Sequence, residues 1–281
     1  MSDEVLVVTG LGTMGLAIAR RVGAGRVVVL ADNNQQLAES AAEALRSDGH
    51  RVVSACADVS SAESVNDLAA KAVELGRVTT LVHTAGVSPV QASVETILAV
   101  DLLGTALILD AFTDVIATGG AGLVVSSSSA YLTTIDPQVE RQLATTPTAD
   151  LLGLPACSPD NLPTPQRAYA FAKRANQLRV AYAAQQWGLR SARLNSLSPG
   201  IVATAMSKRE LDGESGAMMR HSIDSAGLQR IGTPDDIAAA ADFLLGPAAR
   251  FVSGADLLVD GGVTASMTTG VLPWPDPSPA R

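Results

Sequence analysis

The chain is 281 residues long, 47% apolar but only 3% aromatic, and carries a formal net charge of −8. That length suits one α/β domain with a sizeable core, and an acidic balance without a basic block excludes nucleic acid or an anionic membrane surface as the main partner. Cys56 and Cys157 lack metal or redox spacing, His50, His83 and His221 are scattered, the opening Met1-Ser-Asp-Glu is no signal peptide, and no apolar run approaches the roughly 20 residues of a membrane span; a cytoplasmic chain without a metal site is expected.

From the amino terminus, Val5–Thr9 is a β-branched apolar run. Gly10-Leu11-Gly12-Thr13-Met14-Gly15 follows at once, and then the helical pattern Leu16–Arg20. A strand, a G-x-G-x-x-G turn and a helix in succession point to a dinucleotide whose pyrophosphate is met by amides at the helix N-terminus. The next strand, Arg26–Ala31, runs into Asp32. A carboxylate about 20 residues beyond the glycines stands where an adenosine ribose offers its hydroxyls; the bland alternative is a glycine turn and a solvated Asp. A carboxylate repels a 2′-phosphate, and neither Asn33-Asn34 nor the loop Leu11–Met14 supplies a cation to hold one. NAD(H) is therefore expected over NADP(H).

Further strands are expected at Arg51–Ala57, Thr80–Thr84, Gly122–Ser127, Ser191–Leu197 and Ala255–Val259. Helical stretches alternate with them at Asn33–Ser47, Ala62–Leu75, Ala92–Thr118, Gln166–Trp187 and Pro234–Leu245. The alternation predicts a single α/β domain over 1–262, a doubly wound parallel sheet of about seven strands with helices on both faces, as in the Rossmann fold. Leu132–Pro165 falls outside the rhythm, and 263–281 reads as a proline-rich tail.

Within the fourth helical stretch stand Tyr169 and Lys173, one helical turn apart and on one face. Lys173 is one of only three lysines, with Lys71 and Lys208. A phenol ordinarily titrates near pH 10, too high for acid–base work at neutrality, and a neighbouring ammonium lowers it by favouring the phenolate.

Taken together, these residues resemble the short-chain dehydrogenase/reductase family over about residues 4–262. The landmarks run in order: Thr9-Gly10 and its glycine loop, Asp58-Val59, His83-Thr84-Ala85-Gly86, Val100-Asp101, Ser126–Ser129, Tyr169 with Lys173, Asn195 to Pro199-Gly200-Ile-Val202-Ala-Thr204, and Val259-Asp-Gly-Gly262. The resemblance implies an oxidoreductase that moves a hydride between NAD(H) and a secondary alcohol or ketone. Tyr169 would be the acid/base, Lys173 would lower its pKa and hold the nicotinamide ribose, and Ser129, or Ser128 if the register slips by one, would bind the substrate oxygen. The expected cofactor residues are Gly10, Gly12, Thr13, Met14, Gly15, Asp32, Asp58, Val59, Ala85, Gly86, Tyr169, Lys173, Pro199, Gly200, Val202 and Thr204. Asp58 is assigned to the adenine amino group, Ala85 and Gly86 to the adenosine ribose, and Thr204 to the carboxamide.

Three departures stand out. The glycine loop is one residue short, Asp101 replaces an asparagine that supports proton relay, and His83-Thr84 replaces an Asn-Asn pair. Asp101 is read either as a relay member or as a cap or kink in its helix; His83 is read as a satisfied structural group. Ser129 and Tyr169 lie 40 positions apart, so 132–165 is an insertion near the active site. Its position suggests steroid-like or alicyclic substrates, as in some hydroxysteroid dehydrogenases and carbonyl reductases. Its leucines (Leu143, Leu151, Leu152, Leu154, Leu162) call for burial, so the segment is expected to be ordered, to contain a short helix and to shape the substrate mouth. The family's assembly implies a homotetramer or homodimer through the alanine face Ala168, Ala172, Ala175 and Ala183. Two other readings stay open: a catalytically weak NAD-binding sensor or scaffold, and a sugar-nucleotide epimerase or dehydratase, which the short stretch beyond Gly262 disfavours.

Overall fold

The computed structural model describes residues 3–213 and 216–271. Seven strands form one sheet: β1 (Glu4–Thr9), β2 (Val27–Asp32), β3 (Arg51–Cys56), β4 (Arg77–His83), β5 (Ala121–Val125), β6 (Arg193–Pro199) and β7 (Asp256–Val259). Their order is β3-β2-β1-β4-β5-β6-β7, and every neighbouring pair is parallel. Strands covered on both faces need continuous apolar runs rather than alternation, and β1 and β5 have them. The chain reverses its direction of winding between β1 and β4. That switch opens a crevice beyond the carboxyl ends of the strands, the usual place for a ligand in such sheets.

On one face of the sheet pack α1 (Thr13–Val22), α2 (Gln35–Ser47) and a later helix, Pro234–Leu245, through Ile18, Leu45 and Leu244. The other face carries α3 (Ala62–Leu75) and two long helical stretches, 94–115 and 165–189, around Phe112 and Trp187. The first of these begins as α4 (Val94–Ile97), widens into a π-helical turn over Leu98–Leu103, and continues as α5 (Gly104–Val115). By length and mean hydropathy, 1.7, Val94–Val115 could span a membrane, which corrects the expectation that no apolar run approaches that size. Here Ile97, Leu102, Ile108, Leu109 and Phe112 are buried in the interior of the fold.

The inserted segment is ordered and contains α6 (Pro137–Thr145), capped by Asp136. It packs on α7 (Pro165–Leu189), not loosely over solvent. Leu143, Leu151 and Leu162 are buried with Ile97 and Leu102 of the 94–115 stretch and with Ala168, Phe171, Ala172 and Ala175 of α7. Leu154 is partly buried and Leu152 is exposed. Arg179 fastens the segment by donating to the Leu143 and Thr146 carbonyls at 3.1 and 3.0 Å and to the Thr148 hydroxyl at 3.0 Å. Arg174 adds an ion pair with Glu140 at 2.7 Å. Three of the four alanines expected to face a partner subunit, Ala168, Ala172 and Ala175, are thus covered within the chain itself.

Four helices follow in the carboxyl-terminal part: α8 (Ala205–Asp212), α9 (Gly216–Asp224), α10 (Pro234–Leu245, the helix already placed) and α11 (Val263–Thr268). Residues 263–268, read from the sequence as the start of a tail, are therefore helical; 272–281 lie outside the described residues. β4 begins three residues before its expected start because Gly76, at φ +151°, turns α3 directly into the strand.

Candidate active site

The glycine loop is tight because its glycines leave no room for side chains. A Cβ on Gly10 (φ +83°) would stand 2.4 Å from the Ala85 backbone, and one on Gly15 would stand 2.3 Å from the Gly10 carbonyl. Gly12 differs, since nothing lies within 4 Å of its missing Cβ. It is the N-cap of α1, with no side-chain cap and no acidic residue in the first turn. Amides at a helix N-terminus that face open space can receive a diphosphate, so the one-residue shortening leaves this cradle intact.

One cleft collects Gly10, Gly12, Thr13, Met14, Gly15, Asp32, Asp58, Val59, Ala85, Gly86 and Thr204. Tyr169, Lys173, Pro199, Gly200 and Val202 do not line it. Pro199 and Val202 are buried beside it, and Gly200 is pressed on the Asp260 backbone, where a Cβ would come within 2.7 Å. Asp32 accepts from the Leu11 and Asn34 amides at 2.9 and 3.0 Å, so it fastens the loop as well as facing the cleft. Asp58 accepts from the Ser60 amide and hydroxyl through Oδ1, and the Thr204 hydroxyl caps α8 by accepting from the Ser207 amide. The cleft also takes in Gln91 and Arg209, which sequence reasoning missed. Arg209 comes from α8, not from the turn after β2.

Tyr169 and Lys173 leave α7 together, with the ammonium 5.4 Å from the phenol ring centre. Lys173 is 5% exposed. Burial raises the phenol, and Lys173 opposes it; the Asp101 and Glu210 carboxylates raise it further, while Ser127 lowers it. Burial also works against the ammonium, but the Asp101 carboxylate and Tyr169 carry Lys173 above its ordinary value.

Of the four consecutive serines, Ser127 is the one whose side chain draws the Tyr169 phenol down. Ser128 and Ser129, the serines expected from the sequence, follow it in the same short turn and are partly buried. Ser127 Oγ accepts from the Ser129 amide at 3.2 Å and from the Ser129 hydroxyl at 3.0 Å, so its own proton is free to point outward. Ser126 is turned the other way and donates to the Lys173 carbonyl. Four consecutive serines hide this register. The strand ends at Val125, two residues before the end inferred from the sequence.

Asp101 lies inside the π turn and is completely buried. Its Oδ1 accepts from the Val87 amide at 2.8 Å, while Oδ2 is buried with no protein partner among the described residues. Oδ1 and the Lys173 Nζ lie 2.8 and 3.1 Å from the point where a Cβ on Gly86 would stand, so only glycine fits between them. Burial pushes the Asp101 carboxyl up, against the pull of Lys173 and the Val87 N–H. Two residues beyond Gly86, Ser88 is buried and donates to Glu210 of α8 at 2.8 Å, bringing that carboxylate to the site.

The arrangement brings together a glycine-lined cleft, a phenol, a buried ammonium and a serine hydroxyl. Known proteins resemble the chain as a whole. Residues 4–136 fit the short chain dehydrogenase family, and residues 156–264 fit a related family described as Enoyl-(Acyl carrier protein) reductase. The Short-chain dehydrogenase/reductase bsc3 of Alternaria brassicicola is 39% identical over 270 residues, 95% of this chain and 98% of that protein. The chain belongs to the short-chain dehydrogenase/reductase family. D-threitol dehydrogenase of Mycolicibacterium smegmatis is 32% identical, covering 94% of each chain. Galactitol 2-dehydrogenase (L-tagatose-forming) of Cereibacter sphaeroides is 33% identical over 92% of this chain and 93% of that one. A solved short-chain type dehydrogenase/reductase from Mycobacterium ulcerans shares the fold, with a TM-score of 0.75 and 22% identity over 96% of this chain and 94% of its own. The protein is thus an oxidoreductase of a family whose members bind a nicotinamide cofactor.

Proposed function

We propose that this short-chain dehydrogenase is an NAD(H)-dependent enzyme interconverting a small secondary alcohol and its ketone. The observation that carries the reading is the partly buried Tyr169 and Ser127 with the buried Lys173, whose Nζ reaches Gly86 at the wall of the cleft. The bound nicotinamide supplies the hydride acceptor or donor. Tyr169 takes the hydroxyl proton when the alcohol is oxidised and returns it when the ketone is reduced. Ser127, its oxygen already occupied by Ser129, donates to the same substrate oxygen and fixes its position. Lys173, buried and held as an ammonium by Asp101, favours the phenolate over the phenol. Asp32 would hold the adenosine ribose and discriminate against a 2′-phosphate, and Gly12 would admit the diphosphate.

Small polyhydroxylated or alicyclic alcohols fit better than steroids. Two relatives are named for threitol and galactitol, and Ser88 with Glu210 puts polar groups beside Tyr169. The steroid expectation rested on the insertion, whose leucines are used in packing on α7. Assembly as a homodimer or homotetramer would then use other surfaces than the alanine face, such as the β7 edge with the fully exposed Phe251. A cytoplasmic location accords with the acidic balance and with the use of NAD(H).

A panel of secondary alcohols and polyols, with formation of reduced nicotinamide as the signal, tests the activity. Tyr169→Phe is expected to lower kcat by about 10²–10⁴-fold and to leave the dissociation constant for NADH within about twofold, since it removes a proton donor and no charge. A variant that kept more than a few per cent of the rate would remove Tyr169 from its role.

A further inference from the structure

His83 ends β4 and is buried, 1% exposed, among polar groups that the reaction itself does not use. Its Nδ1 lies 2.7 Å from the Thr9 hydroxyl and its Nε2 lies 3.1 Å from the Thr105 hydroxyl. The direction of each bond follows from proton counting. The Thr105 hydroxyl donates its single hydrogen to the Asp101 main-chain carbonyl at 2.8 Å. It can therefore only accept from His83, which must carry its hydrogen on Nε2. Nδ1 is then an acceptor, and Thr9 is the donor to it. A single directed chain results: Thr9 hydroxyl to Nδ1, Nε2–H to Thr105, and Thr105 hydroxyl to the Asp101 carbonyl.

The last link acts on the π turn. A threonine hydroxyl that bonds the carbonyl four residues back competes with the helical ladder and bends the helix locally, and π turns occur at functional positions in helices. The turn puts the Asp101 side chain against the Val87 amide and near Lys173.

We propose that His83 is a positioning residue: as a neutral imidazole with its proton on Nε2, it holds Thr105, and through it the π turn that presents Asp101 to Lys173. This rests on the catalytic reading of Asp101 and Lys173 given above. A cationic His83 would have to donate from both nitrogens, which would reverse the Thr9 bond and place a second positive charge near Lys173. The surroundings oppose that form: burial and then Lys173 push the imidazole down to about 3. The charged or titratable groups that bear on this chain are Lys173 and Tyr169 from α7 and Asp101 from the π turn.

The test needs no variant at first. In protein labelled with ¹⁵N-histidine, long-range ¹H–¹⁵N correlation distinguishes the two neutral tautomers and the cation. His83, assigned by elimination with His50→Gln and His221→Gln, is expected to show the Nε2–H pattern unchanged from about pH 5 to about pH 9. A proton on Nδ1, or a titration inside that range, overturns the proposal. The functional arm compares Thr105→Val with Thr105→Ser. The valine variant is expected to lose at least about tenfold in kcat, to displace the pH profile and to leave the KM for the cofactor unchanged; the serine variant is expected to recover the wild-type rate within about threefold. A valine variant with the wild-type rate and profile, or a serine variant as impaired as the valine one, overturns it. Absence of turnover in the wild type with every alcohol would count against the function above, while the tautomer would still decide the chain of hydrogen bonds.

Discussion

Replacing Asp101 by asparagine isolates one charge at the centre of the site. The amide keeps the shape of the carboxylate and can still accept from the Val87 N–H, so the π turn need not rearrange. What disappears is the attraction between the carboxylate and Lys173. Oδ1 and Nζ are each about 3 Å from the same point beside Gly86, which puts them at most about 6 Å apart. At an effective dielectric constant of about 20, unit charges at that distance attract by about 3 kcal/mol. Lys173 is held above its ordinary value in part by Asp101, so it falls towards that value in the variant. Tyr169 is raised in part by the same carboxylate and falls as well. Oxidation of an alcohol needs the phenolate. The acidic limb of kcat/KM for oxidation is therefore expected to move to lower pH in Asp101→Asn, by about one unit after allowing for partial screening. The assay is the pH dependence of reduced-nicotinamide formation with a single alcohol, wild type against variant. A limb that stays in place or moves to higher pH refutes the electrostatic reasoning. Complete loss of activity would show that the carboxylate does something a neutral amide cannot.

Ser127→Ala is expected to lower kcat/KM by about 10²-fold or more, Ser129→Ala by about tenfold because it acts only by orienting Ser127, and Ser128→Ala hardly at all; equal loss at 127 and 128, measured by steady-state kinetics, would put the register in question again. Asp32→Ala removes both a ribose acceptor and the partner of the Leu11 amide, so titration calorimetry is expected to show NADH binding weakened by about 10–100-fold and the discrimination against NADPH reduced. Equal wild-type affinity for the two cofactors would defeat the carboxylate argument. Arg179→Met deprives two carbonyls and the Thr148 hydroxyl of their donor, a change expected to cost about 3 kcal/mol and to expose 132–165 to limited proteolysis; an unaltered Tm would show that the insertion is held by its leucines alone.

The sheet was legible in the sequence because its strands are buried on both faces and read as Val-rich runs between helical periods. The same runs set the errors at the strand ends: β5 stops at Val125 although serines could prolong it, and β4 starts early because a single glycine serves as the whole connection from α3. The residues from Gly10 to Gly86 that line the cleft were legible because glycine and a strand-end carboxylate have few other uses in that order. Pro199, Gly200 and Val202 were carried by their motif, yet they shape the wall from behind and only Thr204 reaches the cleft. Glu210 and Arg209 were not legible. They arrive on α8, a short polar helix with no long apolar period, and nothing local indicates that Ser88 lies opposite Glu210, 122 positions away in sequence. The direction of the His83 bonds was equally hidden, since it depends on Thr9 and Thr105 meeting one ring from two different elements.

The inserted segment and the helix it clamps are consecutive in the chain, α6 ending at Thr145 and α7 beginning at Pro165. Closing so short a loop costs little chain entropy compared with aligning β1 against β4 or β5 against β6. The flank of the helix that bears Tyr169 and Lys173 is thus secured by neighbours in sequence, in a process of first order. That contact forms within one chain, so it does not itself depend on how concentrated the subunits are.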